Sequence, residues 1–177
     1  MDGVNFYLHT IIVGEGEHQI DGEYLEVSSQ MDIVGDPEVP TENIVVVGGI
    51  HFTGEILARV NLKHMTVRQA KKSGVWGQCA FTMSDVIVEQ CSYFGVLAEG
   101  TATVGRCTNV EVRHCGKCGV VAAGAASITL IGSKTSVHHN NSRGLAVIGS
   151  SSEILVVLPL NKETISVNNK VNLGFTE

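Results

Sequence analysis

One spacing rule recurs along this chain. A valine stands seven residues before a glycine, and an aliphatic or aromatic residue follows that glycine. The rule holds in DVIVEQCSYFGV (residues 85–96), in NVEVRHCGKCGV (109–120) and in the looser KTSVHHNNSRGL (134–145). It also finds Val67/Gly74/Val75 upstream and Val167/Gly174/Phe175 downstream. The anchors Val67, Val88, Val112, Val137 and Val167 are therefore 21, 24, 25 and 30 residues apart. A recurrence in the low twenties marks a solenoid, because one such unit cannot bury its apolar face alone and must stack on its neighbours.

Inside a unit the apolar period is two. Val86 and Val88 alternate with Asp85, Ile87 and Glu89, and Val110 and Val112 alternate with Asn109, Glu111 and Arg113. Such alternation, rich in β-branched residues, predicts a strand with one buried face. A polar turn follows, then a glycine, expected to supply a bend without a Cβ penalty. A second strand (GVLAEG, GVVAAG, GLAVIG) and a third (TATVGRC, SITLIG, EILVVL) complete the unit. Three short strands and three corners make one rung of a coil, with equivalent residues of successive rungs lying over one another. The predicted buried column is Met65, Val86, Val110, Thr135, Ile165. The position after the glycine is Val75, Val96, Val120, Leu145, Phe175, and the turn column is Ala70, Cys91, Cys115, Asn140, Lys170.

These repeats resemble the parallel β-helix of the pectate-lyase-like superfamily, in the divergent form found in non-enzymatic proteins. The resemblance is sharp from Leu62 to Gly149. It implies an all-β, right-handed, single-stranded parallel β-helix of six to seven coils of roughly 21–30 residues. The handedness comes from the resemblance alone. A shared architecture does not transfer a function, and the aspartate-rich motifs of the pectin-hydrolysing members are absent.

The expected organisation is one domain over residues 1–177. It has a lead-in over 1–10, irregular coils to residue 60, regular repeats over 61–150 and a last coil over 151–177. The basic-looking ARVNLKHMTVRQAKK reads as a strand rather than a helix, and no helical stretch is expected. Pro37 and Pro40 exclude a central strand between Asp36 and Glu42 and predict a protruding loop there. Pro159 predicts a bulged loop before the last rung. No polar helix closes the far end, and unpaired strand edges there would invite end-to-end self-association.

A formal charge of −6 lacks the basic footprint that nucleic acid requires. No apolar run is long enough for a membrane helix, and the first residues lack the basic and apolar regions of a secretion signal. Five cysteines, an odd number set in the repeat, suggest reduced buried thiols and favour a cytoplasmic setting.

The candidate binding face is the outward side of the repeat strand. Its columns read His64, Asp85, Asn109, Lys134; then Thr66, Ile87, Glu111, Ser136; then Arg68, Glu89, Arg113, His138. Arg68, Glu89, Arg113 and His138 are expected to form a ladder of cross-strand charge pairs that a protein or glycan partner could contact. Uronate lyases and epimerases need a base and a neutraliser for the substrate carboxylate. His138, Arg113 and Lys134 would fill those roles in an enzymatic alternative, although the carboxylate cluster of a Ca²⁺ site is missing. No cofactor is expected. No metal is expected either: Cys115 and Cys118 lack a second cysteine pair, and His138 and His139 should face opposite sides of a strand. Asp32, Asp36, Glu38 and Glu42 suit a solvated turn. Trp76, without a second aromatic nearby in sequence, is expected to pack rather than to bind.

Overall fold

The computed structural model describes residues 10–56 and 58–176. The expected lead-in lies outside them apart from Thr10, which already begins a strand, Thr10–Val13. The chain is all-β, with 54% of it in strands, and winds as a parallel β-solenoid of about 6 turns.

Three walls enclose the core, and every pairing within them is parallel. The first carries the repeat valines and stacks residues 16–19, 44–47, 65–68, 86–89, 111–113, 136–138 and 166–167. The second stacks 24–27, 49–52, 75–77, 96–99, 120–123, 145–148 and 173–176. The third stacks 10–13, 32–35, 60–63, 81–84, 104–108, 127–131 and 153–156. Val67, Val88, Val112 and Val137 are thus vertical neighbours, as the repeat predicted. Alternate residues of each wall fill one continuous core. Phe81, fully buried, occupies a slot left by Gly77 and Gly105, where a Cβ would run into its ring.

The repeat glycine has a steric origin. Gly74, Gly95, Gly119 and Gly144 are not among the positive-φ residues. Instead, a Cβ on Gly95 would overlap Val112 Cγ1 and stand 2.8 Å from the Gly119 carbonyl oxygen. A Cβ on Gly119 would overlap Val137 Cγ1 and stand 2.9 Å from the Gly144 carbonyl oxygen. The valine of each rung fills the space left open by the glycine of the rung before, which ties the two residues of the motif together.

The left-handed corners fall elsewhere. His64, Asp85 and Asn109 (φ 53–58°) turn the chain from the third wall to the first. Gln69, Gln90, His114, His139 and Asn168 (φ 53–56°) turn it from the first wall to the second. Asn, Asp and His tolerate this region better than most residues do. The polar types at these positions are therefore backbone choices as well as surface ones.

The last rung departs from the expected register. Val137 pairs with Ser166, not Val167, and Leu145 pairs with Leu173, not Phe175. The shift is one residue in the first wall and two in the second. The turn column, next to the first wall, ends on Asn169, not Lys170, and Asn169 Oδ1 accepts from Asn140 N at 3.0 Å. The cause lies in the insertion after Pro159. There, a single helical turn, Lys162–Ile165, is closed by a capping box between Asn161 and Thr164 and delivers Ile165 to the core. The expected absence of helix is corrected by that one turn.

Candidate functional site

The first wall's outer surface is a network of ion pairs centred on Glu111. Glu111 Oε1 lies 2.7 Å from Arg113 Nη1 and 3.0 Å from His138 Nε2. Arg113 also meets Glu89 Oε2 at 2.8 Å, and Glu89 is only 9% exposed. Burial alone would lower the Arg113 pKa, but Glu89 and Glu111 hold it above its ordinary value. Arg68 reaches Glu17 two rungs below rather than pairing with Glu89, which corrects that part of the expected ladder. Lys134 stands apart from Arg113 and His138, in a small cleft of about 180 Å³ shared with Glu42, Asp85, Asn109 and Glu111. Glu111, which sequence reasoning left as one column member among many, is the residue common to all three proposed catalytic groups.

The proline loop covers part of this wall. Thr41–Asn43 forms a 3₁₀ turn. His64 anchors it through Nε2 to the Val39 carbonyl at 2.7 Å and Nδ1 to Thr41 Oγ1 at 3.1 Å. Thr66 Oγ1 donates to the Thr41 carbonyl at 3.0 Å, so Thr66 is buried. Two of the nearby carboxylates have local partners: Asn61 donates to Asp32, and Glu38 N donates to Asp36.

Cys115 and Cys118 part company. Cys115 faces the core, whereas Cys118 joins Val121, Ala123 and Ala146 in a second apolar cluster against Phe94 and Leu97. Cys91 stacks on Cys115 as expected, since Glu89 pairs with Arg113 in the same register. All five thiols are free and buried. The hydrogen bond to Cys115 and burial push Cys91 up, and burial pushes Cys107 up to about 12. Because all five side chains are buried, a disulfide-exchange reagent such as DTNB is expected to leave the native thiols unlabelled at neutral pH and to label all five after denaturation. Rapid native labelling would contradict this burial. Among the described residues, no group of three or more His, Cys, Asp or Glu is arranged to hold a metal ion. No helix among them is long and apolar enough to cross a membrane.

The second wall carries what sequence reasoning missed. His51 and Trp76 pair directly in the sheet register and stack face to face, 4.0 Å between centroids and 10° between planes. Tyr24 tilts against both at 5.8 Å. His51 Nε2 is hydrogen-bonded to Gln78 Oε1 at 2.9 Å, and Glu26 Oε2 lies 2.8 Å from its Nδ1 without the geometry of a hydrogen bond. Trp76 Nε1 donates to Glu99 at 3.1 Å. The expectation that Trp76 has no aromatic neighbour is thus corrected. The neighbours come from rungs below, where the irregular repeat hid their register. Tyr24, Lys72, Ser73, Trp76, Tyr93, Phe94 and Leu97 line a groove of about 390 Å³. Tyr93 is 45% exposed, and the Lys117 ammonium lies 4.1 Å from its ring centre.

Comparison with known proteins adds no relative: no family model, curated protein or solved structure matches this chain.

Proposed function

We propose that this chain is a non-catalytic β-solenoid module that holds a glycan partner on the outer surface of its second wall. The aromatic groove supports that reading. Its volume falls in the range of small-ligand sites, and its walls combine ring faces with a few polar groups, Lys72 and Ser73 in the lining and Glu99 bonded to Trp76 Nε1. A sugar ring offers the complementary surface, an apolar face edged with hydroxyls, and Trp and Tyr meet both at once. The first wall suits a partner less well, because its charged side chains are already engaged with one another and the proline loop lies over part of it. The right-handed coil and kinship to the pectate-lyase-like superfamily belong to this proposal, supported by the three-walled rung and its repeat length.

Trp76 is the chain's single tryptophan, so its emission reports on the groove. Neutral and uronate oligosaccharides are expected to shift that emission saturably. Tyr93→Ala should weaken the effect roughly tenfold without unfolding the chain. An unchanged spectrum across both sugar classes would defeat the glycan reading, and saturation by a protein ligand alone would reassign the groove.

One observation favours a second reading, a uronate lyase or epimerase: Glu111 orients both His138 and Arg113. Unsaturated or epimerised products from uronate polymers, lost on His138→Ala, would establish that reading in place of the first.

A further inference from the structure

Strand alternation places neighbouring side chains on opposite faces, yet His138 and His139 meet. The left-handed backbone of His139 (φ 54°) breaks the alternation and brings the two Nδ1 atoms to 2.7 Å. On the far side of the His138 ring, Nε2 lies 3.0 Å from the Glu111 carboxylate. A carboxylate only accepts, so Nε2 carries the proton and Nδ1 presents a bare lone pair toward His139. This arrangement, with one imidazole nitrogen donating to a carboxylate and the other left free, is how proteins orient a histidine toward a metal. The local charge agrees with that role. Glu89 and Glu111 surround the single guanidinium of Arg113, which leaves one negative charge uncompensated beside the two rings. His114, left-handed in the rung before, stacks on His139 with 5.3 Å between centroids and limits its rotation.

We propose that His138 and His139 chelate a divalent late first-row transition ion through their two Nδ1 atoms, water completing the coordination. The spacing selects within that class. Two nitrogens about 2.0 Å from one ion stand roughly 2.8 Å apart at a right angle and about 3.3 Å apart at a tetrahedral angle. Without an ion, the 2.7 Å contact is a hydrogen bond in which His139 Nδ1 donates to the bare His138 Nδ1. Chelation moves that proton to His139 Nε2 and turns both lone pairs onto the ion, at a nitrogen separation closer to the right angle of Cu²⁺ or Ni²⁺ than to the tetrahedral angle of Zn²⁺. Hard ions such as Mg²⁺ prefer oxygen ligands and have no purchase on this pair. The site is independent of the aromatic groove, which lies on another wall.

The test titrates untagged full-length protein with CuCl₂, NiCl₂, ZnCl₂ and MgCl₂ by calorimetry, with electron paramagnetic resonance of the Cu²⁺ form. One Cu²⁺ per chain should bind, with hyperfine structure from two nitrogens and affinity in the order Cu²⁺, Ni²⁺, Zn²⁺, and no Mg²⁺ heat. His139→Asn and His139→Gln should each weaken Cu²⁺ at least roughly tenfold with the melting temperature unchanged. Both residues are accepted at this left-handed corner, as Asn168, Gln69 and Gln90 show, so either variant keeps the fold. No saturable Cu²⁺ uptake up to about 1 mM would overturn the proposal. So would an affinity that both His139 variants leave intact, or a copper spectrum without two nitrogen ligands.

Discussion

Gly95→Ala is expected to destabilise the solenoid by about 3 kcal/mol or more, because the added methyl has no room on either side. It would overlap Val112 Cγ1, stand 2.8 Å from the Gly119 carbonyl oxygen and approach Cys115 Sγ at 3.2 Å. The Val112 side chain is buried, and the Gly119 carbonyl accepts from Val96 N at 2.9 Å. Neither group can retreat without breaking the rung above. In a domain of this size the loss corresponds to a fall in melting temperature of roughly 6–12 °C. Adding Val112→Ala removes one obstacle, so the double variant should be less damaged than the sum of the two single changes, with the backbone clash remaining. Gly14→Ala is the control, since a Cβ there meets nothing within 4 Å; its effect should stay within about 0.5 kcal/mol. Equal stability of the two glycine variants in urea unfolding would remove the steric account of the repeat.

Asn140→Ala should cost a comparable amount, about 3 kcal/mol, through lost hydrogen bonds rather than overlap. Asn140 is 2% exposed and sits where the rungs below carry cysteine. Its Oδ1 accepts from Cys115 N at 3.0 Å, and its Nδ2 donates to Asn169 Oδ1 at 2.8 Å and to the Val112 carbonyl at 3.4 Å. Asn169 continues the ladder by donating to the Val137 carbonyl at 2.9 Å. Truncation leaves the Cys115 amide buried without that acceptor, at about 1–3 kcal/mol for the orphaned group alone, and opens a small void. The measurement is the urea midpoint, with an unchanged denaturant dependence showing that the folded state keeps its extent. A shift under about 1 kcal/mol would mean that the amide finds another partner, such as water.

The architecture was legible because its cause is local and repeated. Val88 with Gly95 and Val112 with Gly119 are each half of a steric lock, so the rule that found them is also the rule that stacks them. The register failed where the lock changes. Ser166 takes the place of a valine against Gly144, so counting from Val167 slipped by one. At the corners, ordinary strand alternation puts His138 and His139 on opposite faces, and the left-handed backbone of His139 overrides it. The signal was available in the polar columns themselves, since His64, Asp85 and Asn109 are residue types that accept a left-handed backbone. The aromatic groove left no such trace. Tyr24, His51 and Trp76 belong to three successive rungs, and the pairing between the first two is interrupted by a register shift between Gln19 and Tyr24. Charge pairing was half visible: Glu89 and Arg113 meet as their column implied, while Arg68 found Glu17 across a distance no local pattern encodes.

The glycine lock also has a direction. Gly74, Gly95 and Gly119 each receive a side chain from the rung that follows, never from the one before. Peeling the tower from its C-terminal side uncovers a vacant notch, with bare peptide at its floor, on each newly terminal layer. Peeling from the N-terminal side strips a valine of its seat but opens no notch. The two ends of the same stack are therefore unequal surfaces, and fraying should proceed more readily from the N-terminal end.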